Sequence, residues 1–151
     1  MAQQLAPALA ELHRLLTDCR TQLQVNFQFA LIGGLAVSTW GAIRATQDID
    51  FIADCEPSPI RDLTLREKLR RSLEERNCTI EWRVGGHDDP IALLLRLELP
   101  ASFKSIGVDI LWANQPWQRE AVQRAISITV SVPVVHAERE RKRFRIKRLA
   151  G

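Results

Sequence analysis

The stretch 30–54 constrains the fold of this chain more than any other part of the sequence. It begins in an apolar run that ends at the glycine pair Gly33 and Gly34. An apolar segment with helical periodicity, 35–43, comes next, and the alternating sequence AspIleAspPheIle occupies 48–52. Alternation indicates a strand, and a glycine pair between an apolar run and a helix indicates a turn. The stretch therefore predicts a strand, a glycine turn, a helix and a second strand.

Asp48 and Asp50 are separated by one residue in the second predicted strand. Successive strand side chains point to opposite faces, so the two carboxylates share one face while Ile49 and Phe51 share the other. Carboxylates that close repel each other, and a divalent cation that binds oxygen relieves the repulsion. The pair predicts a magnesium site. The alternative is an isolated Asp-x-Asp on a solvated strand face.

The glycine pair, Gly33 and Gly34, predicts a phosphate-binding turn. Glycine lets the backbone approach a ligand closely, and a helix beginning near Leu35 would direct its free amides and positive dipole end toward the turn. An ordinary turn is the alternative. Metal-binding carboxylates beside such a turn are the groups that phosphoryl and nucleotidyl transfer require.

The order of these features resembles the nucleotidyltransferase superfamily related to DNA polymerase beta, whose block is a hydrophobic strand, Gly-Gly or Gly-Ser, a helix and Asp-x-Asp. Thirteen residues, 35–47, separate the second glycine from the first aspartate, near the upper end of that spacing. The sequence GlyGlyLeuAlaValSerThrTrpGly, followed by ArgAlaThrGlnAspIleAspPhe, is most similar to the small bacterial AbiEii toxin-like branch. The resemblance implies a minimal nucleotidyltransferase fold, an α/β (α+β) domain with a mixed, mostly antiparallel sheet flanked by helices.

The resemblance also implies a reaction, the transfer of a nucleoside monophosphate from an NTP to an acceptor hydroxyl with release of pyrophosphate. Asp48 and Asp50 would bind magnesium, two ions in all. Arg44 and Thr46 recur in the family's block and are expected beside the bound nucleotide. The acceptor would be RNA, tRNA, a protein or a small molecule. Membership of this branch would make the chain a toxin whose partner is an antitoxin or a second copy of itself.

Asp109 is the expected third carboxylate. It lies in GlyValAspIleLeu, 107–111, which has the pattern of a buried strand where an unpaired carboxylate would be destabilising. Superfamily members place a third carboxylate on a later strand beside the first pair, and ValAspIleLeu matches that pattern. Asp109 is thus expected to bind metal and to act as general base. The alternative is a strand-end aspartate bonded to backbone amides.

Basic residues are concentrated in one segment, 138–148. The whole chain carries a net charge of +3, whereas this segment contains seven Lys or Arg and two Glu. A generally basic surface would favour nonspecific binding to nucleic acid, but one local cluster favours a phosphate-facing helix or a contact segment. The sequence from Pro133 onward resembles the family segment that introduces a basic helix, so a helix is predicted here.

By the same resemblance, Lys147 is expected to contact the triphosphate. The alternating arginines of the segment offer an alternative role, which is to hold an RNA acceptor; they are Arg139, Arg141, Arg143 and Arg145. The acidic helical portion that continues the family's sequence is expected to be missing. The alternative function is therefore a degenerate module of the same fold that binds a nucleotide or a partner without turnover.

Periodicity and turn residues predict the other elements. Leucines at three- and four-residue steps predict an amphipathic first helix that ends before Asn26. Further helices are predicted at 60–76 and 115–125, and further strands at 79–84, 91–97, 106–112 and 126–135. The strands 79–84 and 91–97 are expected to form a hairpin. Pro133 predicts an edge position for the last strand.

Composition indicates one globular domain over residues 1–151. The chain is 46% hydrophobic, which is sufficient for a core. No apolar run approaches membrane-spanning length and no signal peptide is recognised, so a cytoplasmic location without a membrane partner is expected. Cys19, Cys55 and Cys78 are odd in number and scattered, which favours reduced thiols over a disulfide framework or a zinc cluster.

Overall fold

A computed structural model describes residues 5–32, 48–100, 103, 106–134 and 137–149. Within these residues there are three helices and seven strands. The helices are α1 (Leu5–Leu23), α2 (Leu63–Glu75) and α3 (Pro116–Gln123). The strands are β1 (Asn26–Ile32), β2 (Asp48–Glu56), β3 (Thr79–Val84), β4 (Leu93–Glu98), β5 (Gly107–Trp112), β6 (Ile126–Val134) and β7 (Ala137–Arg148).

All seven described strands belong to one sheet, in the order β3-β4-β5-β2-β1-β7-β6. The β2–β5 and β1–β7 pairs are parallel, and the other four pairs are antiparallel. This architecture confirms the predicted mixed, mostly antiparallel α/β sheet. The β3–β4 hairpin is also confirmed, as is the edge position of β6, where the ladder is irregular at Pro133.

The main core lies between one face of the sheet and the helices α1 and α2. Alternate residues of the central strands point into it, including Phe27, Phe51 and Trp112. The ring of Phe27 stacks on that of Trp112 with centroids 5.4 Å apart. We call this side of the sheet the core face.

The opposite side of the sheet is covered by α3 over part of its area. Ala30, Ile52 and Ala113 pack there against Val122 of α3. We call this side the carboxylate face, because the aspartates described below share its strand parity.

The helix α2 begins three residues later than predicted. Asp62 stands outside the helix with extended backbone and accepts a hydrogen bond from the Leu65 amide at 3.0 Å. The preceding residues form a turn in which the Asp62 amide donates to the Ser58 carbonyl at 3.0 Å. A capping aspartate satisfies an amide that the first helical turn leaves free, so it sets the start of the helix.

The prediction of a basic helix at 138–148 is wrong, because this segment forms the strand β7. β7 pairs with β6 in antiparallel register from Ile126–Arg148 to Pro133–Arg141. Lys, Arg and Glu favour helices intrinsically, but pairing with an adjacent strand overrides so weak a preference. The burial of Ile146 agrees with a strand that has one side in the core, since Ile146 is 3% exposed and lies between the exposed residues Arg145 and Lys147.

The helix predicted at 35–43 lies outside the described residues. Within the described ranges, no helix combines the length and the apolar character needed to cross a membrane.

Candidate functional site

Asp50 and Asp109 are direct neighbours on adjacent parallel strands. In the β2–β5 ladder Asp50 pairs with Asp109, and the register is unbroken from Asp48–Gly107 to Ala53–Trp112. Paired residues of a ladder lie about 4.8 Å apart and project from the same face. Both aspartates are partly exposed. Two carboxylates from distant parts of the sequence thus share one position on the carboxylate face.

Asp48 is the first residue of β2 and lies two residues before Asp50. Its backbone pairs with Gly107, two residues before Asp109 on β5. Residues two apart on a strand have the same parity. The backbone register therefore agrees with the prediction that three aspartates meet at one site, although the Asp48 side chain lies outside the description.

Arg96 compensates the charge of Asp109. It lies directly opposite Asp109 in the antiparallel β4–β5 ladder, and one guanidinium nitrogen donates to both carboxylate oxygens at 3.1 and 3.2 Å. The Asp109 side chain is 21% exposed, so this ion pair is partly removed from water. The alternative interpretation of Asp109 was a strand-end aspartate bonded to backbone amides. The structure instead shows a guanidinium as its partner and places Asp109 inside β5. The three residues Arg96, Asp109 and Asp50 form one row across β4, β5 and β2.

Four of the predicted nucleotide-binding residues lie outside the described residues: Gly33 and Gly34 of the phosphate turn, and Arg44 and Thr46 beside it. The chain enters this stretch from Ile32, the last residue of β1, which pairs with Asp50. It leaves the stretch at the start of β2. Both ends of the undescribed segment are thus fixed beside the aspartates.

The aspartates lie beyond the part of the carboxylate face that α3 covers. Ile52, two residues after Asp50, is 7% exposed and packs with Val122 of α3. At the covered end Asp54 contacts Arg119 of α3, with 3.9 Å between nitrogen and oxygen. Among the described residues α3 therefore stops short of Asp50, and the side chains of Asp50 and Asp109 are partly exposed.

Lys147 lies on the carboxylate face, although its segment is a strand and not a helix. Leu31 pairs with Arg148 in the parallel β1–β7 ladder, and Leu31 belongs to the core face. Lys147, one step from Arg148, has the opposite parity, and the burial of Ile146 in the main core agrees with this assignment. Only β1 separates β7 from β2, so about 10 Å of sheet lies between these strands.

The donors described at this site suit magnesium chemically. Asp50 and Asp109 offer carboxylate oxygens, the ligands that Mg²⁺ takes in proteins. Within the part of the chain that the structure describes, no group of three or more His, Cys, Asp or Glu is arranged to hold a metal. The side chain of the third expected ligand, Asp48, lies outside this part. A magnesium ion would be held by Asp48, Asp50 and Asp109.

Sequence reasoning missed Arg96. The available signal was an arginine inside the apolar strand LeuLeuLeuArgLeuGlu of β4. A charged residue at an alternate position of such a strand needs a compensating partner. Only the pairing of β4 with β5 identifies that partner as Asp109.

Comparison of the chain with known protein families finds no family that matches. Comparison with curated proteins finds no match either.

Proposed function

We propose that this chain is a magnesium-dependent nucleotidyltransferase. The observation that carries the proposal is the register that pairs Asp50 with Asp109 across two parallel strands, with Asp48 two residues earlier on the same strand. Three carboxylates beside a predicted glycine turn suit the charge of a magnesium-bound triphosphate. The nearness of Ile32, which precedes Gly33, to Asp50 supports the same arrangement.

Each group has a role in the proposed reaction. The acceptor hydroxyl oxygen attacks the α-phosphorus of the NTP, the bond to the β-phosphate oxygen breaks, and pyrophosphate leaves. Asp109 receives the proton of the hydroxyl, and Lys147 binds the triphosphate from β7. When bound, magnesium would neutralise the phosphate oxygens. Gly33, Gly34, Arg44 and Thr46 would complete the nucleotide site.

The proposal extends to partners and location. The acceptor is RNA, tRNA, a protein or a small molecule, and the toxin assignment implies an antitoxin or a second copy of the chain as partner. The proposed location of the protein is the cytoplasm, where these reactants occur. The proposed metal site rests on the β2–β5 register and does not depend on the acceptor, the partner or the location. Each of these three needs its own experiment.

The metal assignment is tested by calorimetry with a panel of NTPs, with and without magnesium. We expect Asp48→Asn and Asp50→Asn to abolish magnesium-dependent NTP binding without unfolding the domain, because removing like-charge repulsion rarely destabilises a fold. The matched control is Asp54→Asn, which alters the same residue type with the same parity on β2, but beside Arg119. Magnesium-dependent binding that survives in both variants would refute the site.

The role of Asp109 is tested separately by kinetics. Asp109→Asn should lower kcat more than NTP affinity, because a group used mainly in the transition state contributes chiefly to turnover. An equal loss of both would make Asp109 a metal ligand only. A loss of the folded state would instead assign it a structural role with Arg96.

One observation favours the alternative function, a module that binds without turnover. The permanently charged guanidinium of Arg96 is bonded to the Asp109 carboxylate. An active enzyme would use that carboxylate to bind metal or to accept a proton. In such a module Arg96 would take over charge compensation from the metal. NTP binding that is equally strong with and without magnesium, and without product, would identify this module.

A further inference from the structure

The strand β3 forms one edge of the sheet, and its outer side pairs with no other described strand. β6 forms the other edge, where the ladder is irregular at Pro133. The pairing of β3 with β4 has no such interruption and runs from Thr79–Glu98 to Val84–Leu93. An edge without proline or a bulge presents backbone amides and carbonyls to which another strand can add. Of these two edges, β3 is therefore the one that can extend the sheet.

Apolar side chains of the core face end at β3 without full cover. The strand is rich in β-branched and aromatic residues, which favour pairing. Ile80 and Trp82 pack against the main core and are only partly buried. Val84 has the same parity and is 68% exposed, although its ladder partner Leu93 is fully buried in that core. Burial of these side chains would favour the addition of a further strand.

The carboxylate face of β3 carries two opposite charges, Glu81 and Arg83. The two side chains contact each other along the strand at 3.5 Å and are 63% and 56% exposed, respectively. An ion pair so exposed stabilises a fold very little. Glu81 and Arg83 can therefore exchange this contact for charges on another molecule.

The residue order of β3 is complementary to itself in one antiparallel register. In this register Trp82 lies opposite Trp82 of a second copy. Glu81 of each copy then lies opposite Arg83 of the other, and Ile80 opposite Val84 follows from the same alignment. Directly opposite residues project from one face about 4.5–5.5 Å apart, so opposite charges and apolar side chains meet.

Other registers lack this match. An alignment with Glu81 on the two-fold axis sets two glutamates against each other, and one with Arg83 on the axis does the same with two arginines. Like charges directly opposite each other on neighbouring strands are destabilising. A shift by one residue would place charged side chains on the apolar side, so it is disfavoured as well.

We propose that β3 binds β3 of a second copy of this chain, joining two sheets edge to edge about a two-fold axis at Trp82. A contact of this symmetry is closed, so it forms a dimer and uses both β3 edges. The proposal gives a surface to the second copy named above as a partner. It does not rest on the transfer reaction, because neither Glu81 nor Arg83 is a proposed metal or nucleotide ligand.

The test is sedimentation of the full-length protein over a wide range of concentrations, without nucleotide or metal. A contact through one strand is small, so we expect a reversible monomer–dimer equilibrium. Arg83→Glu should weaken dimerisation by roughly tenfold or more, because it sets like charges against each other at both symmetry-related positions. A protein that stays monomeric at every concentration would overturn the proposal.

Arg124→Glu is the matched control. It makes the same change of charge on an arginine next to α3, whose side chain is 77% exposed. We expect its dimerisation to stay within about twofold of that of the unmodified protein. Equal losses in the two variants would show only a general effect of surface charge and would overturn the proposal. So would a dimer that Arg83→Glu leaves intact, since its contact would lie elsewhere.

Glu81→Arg is the complementary variant and should also lose the dimer. An equal mixture of Glu81→Arg and Arg83→Glu should restore it, because the acidic edge of one variant then lies opposite the basic edge of the other. Two folded variants that do not associate on mixing would refute the register. Glu81 also lies opposite Arg96 in the β3–β4 ladder, so the melting temperature of each dilute variant checks its folding.

Arg83→Glu with its control decides the proposal even where Glu81→Arg fails to fold. Arg83 lies opposite Leu94 and is exposed, so its substitution is expected to leave the fold intact. Magnesium-dependent NTP binding should be unchanged in Arg83→Glu, whereas Asp50→Asn should leave dimerisation unchanged. The dimer and the transfer reaction can therefore fail separately.

Discussion

Single residues set the charge balance of the carboxylate face, and Arg96 is the clearest case. Its guanidinium nitrogen lies 3.1 Å from an Asp109 oxygen, and its side chain is 36% exposed. A partly exposed ion pair contributes little to stability, about 1 kcal/mol or less. Its importance is that a metal ion and a guanidinium cannot both take the same lone pairs of one carboxylate.

We predict that Arg96→Gln lowers the free energy of unfolding by about 1 kcal/mol or less and strengthens magnesium or manganese binding by roughly fivefold, because Asp109 no longer has to be released from the guanidinium. Denaturant unfolding and calorimetry with the metal alone measure the two effects. Arg83→Gln on β3 is the control, as Arg83 is an exposed arginine that pairs with Glu81. Weaker metal binding by Arg96→Gln would mean that Arg96 orients Asp109 for the metal and does not compete with the metal for this carboxylate.

His13 gives a prediction about pH. Its pKa is lowered by burial and then by the charge of Arg20, so the unfolded chain takes up a proton at higher pH than the folded protein does. The free energy of unfolding should therefore fall as pH decreases from about 6.5 toward the lowered pKa, and should be independent of His13 above that window. Unfolding curves across this pH range measure this dependence. An unchanged slope in His13→Gln would assign the pH dependence to other groups.

At the scale of elements, β7 determines how the basic residues are presented. A helix would spread alternate residues of 138–148 around its axis, whereas a strand keeps those of equal parity on one face. The exposed residues Arg143, Arg145 and Lys147 share one parity, and the buried Ile146 has the other. The strand therefore brings an exposed basic row to the face that carries Asp50.

β7 also connects β6 to the rest of the sheet, because it lies between β1 and β6. We predict that Ile146→Ala lowers the free energy of unfolding by about 2–4 kcal/mol, since Ile146 is 3% exposed in the main core. Arg143→Ala, at an exposed position of the same strand, should change it by about 0.5 kcal/mol or less. Denaturant unfolding of both variants compares them. If Ile146→Ala changed the free energy of unfolding as little as Arg143→Ala, β7 would not contribute to the core.

This position in the sheet also decides how the basic residues can be tested. Deletion of 138–151 would remove the strand that joins β6 to β1, so binding lost on deletion could not be separated from loss of structure. Substitutions of exposed residues that leave the strand in place are the appropriate test.

At the scale of the whole molecule, α1 and α2 pack on the core face of one sheet, and among the described elements α3 packs on part of its carboxylate face. The three cysteines, Cys19, Cys55 and Cys78, are buried and free. Burial raises the pKa of Cys55 and that of Cys78 to about 11, and it raises the pKa of Cys19 as well. The thiolate form that reacts is therefore scarce in the folded protein.

We predict that iodoacetamide at pH 8 does not label the cysteines of the folded protein at a rate comparable to that of free thiols. All three should react once the chain is unfolded in denaturant. Mass spectrometry of the labelled protein over time gives the measurement. Rapid labelling of one cysteine under native conditions would indicate that its part of the core opens locally.

Local patterns were sufficient to predict most of the fold. Apolar spacing predicted α1, and alternation predicted β3 at its observed bounds, Thr79–Val84. Alternation also predicted that Asp48 and Asp50 share one face and that Asp109 lies in a strand. Side chains alternate between the two faces of a strand, so the residue order alone shows which residues share a face. Their roles in metal binding and catalysis stay predictions.

The sequence by itself determined which residues alternate, which face of each element is apolar, and where chain turns occur. The tertiary structure decided which strands become neighbours: Asp50 beside Asp109, Arg96 opposite Asp109, and β7 beside both β1 and β6. It also decided that the basic segment is a strand. Helix or strand preference is a small free energy per residue, and it is outweighed where burial of an apolar face and pairing with a distant strand stabilise the other form.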